Sequence, residues 1–153
     1  FMLKLGKLAD YATMLMTAMA RMPAQVYTAH DLATRTHVAA PTTAKLLKLL
    51  SKAGLIESLR GVHGGYRLSR EPQRITVAEI VNAVEGPIAV TECSERHSDC
   101  SIEANCTTRT NWRLINSTIR QALEAVTLSQ MAAPMRRTES PIHFLQTAQA
   151  GNR

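Results

Sequence analysis

The amino-acid sequence predicts a mainly α-helical chain that carries one small β-hairpin, and three observations lead there. The first is a basic amphipathic stretch after Pro41, where Leu46, Leu47, Leu49 and Leu50 recur at helical spacing and Lys45, Lys48 and Lys52 take the other side. The second follows at once. Residues 55–59 and 66–68 read as two short strands, and the turn between them holds Gly61, Gly64 and Gly65, which tolerate the positive backbone angles of a hairpin. The third is a late apolar stripe of Trp112, Ile115, Ile119, Leu123 and Val126, which fits one long helix from near Thr110 to Gln130. A basic helix followed by a basic hairpin is the winged-helix arrangement. The expected division is a winged helix-turn-helix DNA-binding domain in residues 2–74 and a linking helix with a cysteine-bearing loop in 75–109. A dimerisation helix in 110–131 and a tail, expected to be mobile, in 132–153 complete it.

Taken in order, Leu8, Tyr11, Ala12, Leu15, Ala18 and Met19 give the i, i+3, i+4, i+7 stripe of a first helix over 8–22, which Pro23 ends. Thr28 starts a second helix with Asp31 three residues on as its acidic partner, and Ala29, Leu32 and Ala33 form the buried side. That helix ends around Thr36 and His37. A turn over 38–40 leads to the basic helix, so the pair reads as a helix-turn-helix. Pro41 suits the first turn of a helix, and Gly54 is placed to close its C-terminus in a left-handed conformation. After a polar link at 71–74, Thr76 and Glu79 form a capping box ahead of Ile80, Val81 and Val84, and Gly86-Pro87 stops that helix. Residues 88–108 show no period. The long helix that follows packs either on its own domain or on a twin; a twin is the expected reading, because a palindromic operator requires a two-fold protein.

Composition narrows the function. With 153 residues the chain can build one good core, or one small domain with an appendage. No apolar run approaches the roughly 20 residues that cross a bilayer, and the first residues lack the apolar centre of a signal peptide, so a cytoplasmic location is expected. Residues 1–74 hold 11 Lys+Arg and 4 Asp+Glu, a balance of +7, whereas residues 75–153 hold 7 and 8, a balance of −1. The positive excess therefore sits with the basic helix and hairpin, the footprint of phosphate binding. No nucleophile elbow, Walker loop, zinc-protease motif or paired carboxylates are visible, so neither an enzyme nor a small-molecule substrate is expected. A carrier that merely holds a cofactor would have no use for a basic helix and wing.

The three cysteines fall together, as Cys93-x6-Cys100-x5-Cys106. An odd, clustered set in an intracellular chain argues against a disulfide framework. Structural zinc sites usually contain a short Cys-x2–4-Cys knuckle, which is absent, although His97 would complete a Cys3His set. A wide iron–sulfur cluster tolerates such spacing better. From spacing alone, an iron–sulfur cluster, zinc, redox-active thiols and unliganded cysteines all stay open.

A resemblance now adds to the residues. Leu8-Ala9-Asp10-Tyr11-Ala12, the basic helix, residues 59–68 (LRGVHGGYRL), Val84-Glu85-Gly86-Pro87-Ile88 and the three cysteines occur in an order that resembles the Rrf-two (Rrf2) family of bacterial winged-helix regulators. The branch that regulates Suf iron–sulfur assembly looks most similar, over about residues 2–131. The resemblance implies an iron–sulfur-sensing, DNA-binding homodimer, a repressor of cluster-assembly genes. A nitric-oxide- or iron-responsive repressor and a zinc- or thiol-based regulator are the alternatives. It implies that Cys93, Cys100 and Cys106 hold a 2Fe–2S or 4Fe–4S cluster. The Isc-type regulator has a histidine ligand where this chain has Arg109; Asp10 matches the ligand position of the nitric-oxide sensor, supplied there by the partner subunit, and is preferred to His97. For double-stranded operator DNA, the matching positions are Thr28, Pro41, Thr42, Thr43, Lys45, Lys48, Arg60, His63, Gly64, Gly65, Tyr66 and Arg67. Of these, Thr42 and Thr43 are expected at base edges and Lys45, Lys48 and Arg67 at phosphates, while Gly64 and Gly65 bring the wing backbone close to the DNA. Ala44, where the Isc type has glutamate, implies a different operator preference.

Overall fold

The computed structural model describes residues 5–91 and 107–134. Six α-helices and one antiparallel hairpin make up the described residues: α1 (Lys7–Ala20), α2 (Ala29–Thr36), α3 (Ala40–Lys52), β1 (Ile56–Leu59), β2 (Gly65–Leu68), α4 (Val77–Glu85), α5 (Arg109–Ala125) and α6 (Leu128–Ala132). A short 3-10 turn, Pro72–Arg74, links the hairpin to α4.

The core forms where the apolar stripes of the first four helices meet. Leu15, Met16 and Met19 of α1, Leu32 of α2, Leu46, Leu47 and Leu50 of α3 and Ile80 of α4 pack with Ile56 of β1 and with Leu55 and Ile75 from the connections. Burying a side chain of this size contributes about 1.5–3 kcal/mol relative to exposure, so these residues carry the fold. Compared with the expected stripe, α1 is turned slightly: Ala9 and Met16 are buried, while Tyr11 and Ala18 lie at the edge. It also ends short of Pro23, at Ala20.

The local signals behave as their chemistry dictates. Thr28 and Asp31 form a reciprocal capping box, in which Thr28 N–H donates to Asp31 Oδ2 at 2.9 Å and Asp31 N–H donates to Thr28 Oγ1 at 3.1 Å. Thr76 and Glu79 repeat it at the start of α4. After α3, Gly54 takes φ +73°, and Leu55 N–H donates to Leu50 O at 3.1 Å, which turns the chain into β1. In the hairpin, Ile56 pairs with Leu68, Glu57 with Arg67, Ser58 with Tyr66 and Leu59 with Gly65.

The C-terminal helix departs from expectation. Instead of one helix to Gln130, the chain breaks at Val126, whose extended φ −95°, ψ 118° separates α5 from α6. The cause is tertiary. Val77 N–H donates to Val126 O at 2.9 Å, Leu128 N–H donates to Ile75 O at 2.8 Å, and Thr76 and Thr127 form an antiparallel bridge. Thr127 then caps α6 with Gln130 as its reciprocal partner. The T-x-x-Q signature was present in the sequence; the helical stripe running through it concealed it. Through this stitch Leu128 enters the main core, with Ala132 packed against it.

Candidate nucleic-acid interface

Helix α3 divides its residues sharply. Leu46, Leu47 and Leu50 are buried, whereas Pro41, Ala44, Lys45 and Lys48 are exposed and Thr42 is half-buried. The first turn of α3 carries no acidic residue, so its backbone N–H groups and the two lysines present one unopposed positive end. Thr43 corrects the expectation. It is fully buried, and its hydroxyl donates to Val38 O at 3.3 Å, fixing the turn between α2 and α3. Its side chain faces the core.

The wing is anchored at its base and exposed at its tip. Gly64 and Gly65 are also required by the fold itself: a Cβ on Gly64 would lie 2.3 Å from Leu59 O, and one on Gly65, at φ +153°, would lie 2.5 Å from Tyr27 O. Both are small because the chain's own backbone passes there. Tyr27 N–H donates to Tyr66 O at 2.8 Å and Tyr66 N–H donates to Tyr27 O at 2.7 Å, which welds β2 to the segment before α2. Tyr66 is accordingly a half-buried strut packed on the core. The Arg35 guanidinium lies 5.4 Å from the Tyr27 ring centroid and covers the joint. Arg60 and His63 are exposed. Arg67 is exposed too, but it is ion-paired across the ladder with Glu57, so its charge is partly spent within the hairpin. Thr28 is exposed at the N-terminus of α2, where its hydroxyl is bound to Asp31. That hydrogen bond holds the Asp31 carboxyl below its ordinary value.

The second candidate region lies where α1, α4 and α5 meet. Helix α1 has no side-chain cap of its own; the Glu85 carboxylate, from the far end of α4, accepts from Ala9 N–H at 3.3 Å instead. A Cβ on Gly6 would displace the Glu85 carboxylate from this position. Asp10, next to this contact, is exposed on the first turn of α1. Ala9, Val77 and Val81 form a small apolar cluster against which Val84, Ile88, Leu123 and Val126 pack. Two residues past Ile88, Val90 N–H donates to the Oδ1 of Asn116, a buried polar residue of α5, at 3.1 Å. Cys93, His97, Cys100 and Cys106 lie outside the described residues, which resume at Thr107. Among the described residues, no three His, Cys, Asp or Glu side chains converge, and no helix is long and apolar enough to cross a membrane.

A helix-turn-helix whose second helix is basic and exposed along one side, flanked by a hairpin with arginine and histidine near its tip, defines a DNA-binding transcriptional regulator. The comparisons give the family. The model of Rrf2, an iron-dependent transcriptional regulator, matches residues 5–134, and the chain belongs to that family. It is 36% identical over 101 residues to the protein rrf2 of Nitratidesulfovibrio vulgaris, covering 66% of this chain and 67% of that one. Against the HTH-type transcriptional regulator IscR of Vibrio atlanticus the identity is also 36% over 101 residues, covering 66% of this chain but 58% of IscR. The match thus spans about three-fifths of that relative. Among solved structures, CymR, the global cysteine regulator of B. subtilis, superposes with a TM-score of 0.68 at 27% identity, covering 85% of this chain and 96% of CymR. IscR of T. potens gives 0.67 at 28% identity, covering 93% and 96%. These relatives and neighbours are regulators of transcription, and this chain is a regulator rather than an enzyme.

Proposed function

We propose that this regulator is a cytoplasmic, homodimeric repressor of iron–sulfur assembly genes of the suf type, whose grip on operator DNA follows the state of an iron–sulfur cluster. Thr42 and Ala44 meet base edges, Lys45 and Lys48 hold phosphates, and Arg60 and His63 reach the duplex from the wing. Three thiols and an exposed carboxylate at Asp10 make a donor set chemically suited to a cluster, Arg109 offering no ligand. Cys93, Cys100 and Cys106 would hold it, with the partner subunit's Asp10 as the fourth ligand. When bound, such a group supplies a link between the thiolates that is sensitive to iron supply, oxidants and nitric oxide.

The observation that carries the reading is how the chain entering the cysteine segment is tied into the DNA-binding unit. Asn116 holds the Val90 backbone, Ile88 packs beside Ala9, and Glu85 closes the N-terminus of α1. Helix α4 in turn packs on α3. A change in residues 88–90 therefore bears on α1 and α4, and through α4 on the recognition helix. In a dimer this changes the match to half-sites about 34 Å apart.

The test uses a duplex selected by the full chain from a random-sequence library. Anaerobically purified protein should be brown, and its affinity for that duplex should differ by on the order of tenfold between the cluster-loaded and the cluster-free protein. Changing Cys93, Cys100 and Cys106 together to Ala should abolish both the colour and the difference; equal affinity for all forms defeats the sensing role. Asp10→Ala should shorten the life of the visible absorption in air, and an unchanged spectrum and lifetime rules Asp10 out.

A further inference from the structure

The tip of the wing displays an apolar side chain that nothing in the fold requires. Residues 60–64 join the last ladder pair, Leu59 and Gly65. Gly64 N–H donates to Gly61 O at 3.0 Å, so Gly61-Val62-His63-Gly64 is a closed turn with Val62 and His63 at its centre. Gly61 takes φ +105°, open to glycine, and Gly64 leaves no space for a Cβ beside Leu59 O. Val62 is 98% exposed, the most exposed large hydrophobic side chain among the described residues. Its neighbours Arg60 and His63 are exposed as well. A β-branched side chain at the centre of a hydrogen-bonded turn loses little χ1 freedom on contact, which suits a binding residue. Valine offers no donor to a phosphate, so the tip side chain is not a backbone contact and can act only by what it covers.

Grooves alternate along a duplex. With α3 in the major groove, the hairpin beside it meets the adjoining minor groove. There an A·T pair presents only acceptors, whereas a G·C pair adds the guanine 2-amino donor on the groove floor. A methyl group over that amine strips its water and supplies no acceptor, an uncompensated loss; over an A·T pair no donor is covered. We propose that Val62 is a specificity-determining residue that reads the minor-groove floor and selects A·T over G·C at the base pair beneath the wing tip. Arg60, two residues away, supports the same choice, since A·T-rich minor grooves are narrow and strongly negative. The inference rests on the placement of α3 in the major groove and is independent of the cysteine segment.

The experiment uses the full chain and the duplex it selects from a random-sequence library. Each A·T pair is replaced in turn by G·C and by inosine·C, which keeps the major-groove edge of G·C but lacks the 2-amino group. At one pair per half-site, G·C should weaken binding about tenfold and inosine·C should restore it. Val62→Thr, nearly isosteric at an exposed position, supplies an acceptor and should reduce the discrimination to about twofold while binding the A·T duplex nearly as well. The proposal is overturned if inosine·C behaves as G·C, or if Val62→Thr discriminates as well as the wild type. It is also overturned if Arg60→Ala abolishes the preference and Val62→Thr leaves it intact, since the arginine is then the reader. Recovery of no preferred duplex by the wild type overturns the underlying placement of α3 instead.

Discussion

Glycine at position 65 is required by a neighbour's backbone. Its missing Cβ would lie 2.5 Å from Tyr27 O, and its φ of +153° disfavours other residues. Gly65→Ala should therefore lower the unfolding free energy by about 2–3 kcal/mol, measured by urea denaturation, through steric overlap and backbone strain. Glu79 gives a second residue-scale prediction. Burial pushes its carboxyl up, but the hydrogen bond from Thr76 N–H and the Arg70 guanidinium at 2.6 Å outweigh that and hold it below the ordinary glutamate value of 4.5. A carboxyl depressed in the folded state stabilises above its unfolded value and loses that contribution as pH falls through the folded one. Glu79→Gln, which keeps the capping oxygen but not the charge, should flatten the fall in thermal stability below about pH 4.5. This capping box was legible because its partners are three residues apart. The burial of Thr43 was not, because it depends on Val38 O, which only the turn between α2 and α3 brings within reach.

Elements show the same division between local and tertiary causes. The recognition helix could be read from its leucines and lysines, and the wing from its glycines, since each follows from periodicity and turn chemistry. The break between α5 and α6 could not be read from the apolar stripe, which runs unbroken across Val126; the hydrogen bonds from residues 75–77 impose it. Within the wing, the Arg67–Glu57 pair makes a prediction about charge. Glu57→Ala releases Arg67 and removes an acidic group from the hairpin, so binding to the selected duplex should tighten and its dependence on salt should steepen. Lys45→Ala should act in the opposite sense, reducing the salt slope by about one, as expected for one lost phosphate contact. Both slopes come from affinities titrated against potassium chloride, and an unchanged slope removes the residue from the phosphate-binding set.

For the whole molecule, α5 splits into two halves with different partners. Leu123, with Val126 just beyond its end, packs on the small cluster around Ala9, Val77 and Val81, and buried Asn116 holds Val90. Trp112, Leu114 and Ile115 are left 38%, 68% and 43% exposed. Among the described residues, the C-terminal end of the stripe is the part that packs on the chain's own small cluster. Trp112 and Ile115, three residues apart on one side of α5, are exposed together, and we propose a second copy of the chain as their cover, as a two-half-site operator would require. The double variant Trp112→Ser, Ile115→Asp changes only exposed positions, so the fold recorded by circular dichroism should persist. Sedimentation should then show a monomer. Affinity for a two-half-site duplex should fall on the order of a hundredfold, while affinity for a single half-site should change little, because only the effective concentration of the second reading head is lost. A variant that sediments as a dimer and retains two-site binding would place the two-fold contact elsewhere and return the exposed face of α5 to solvent.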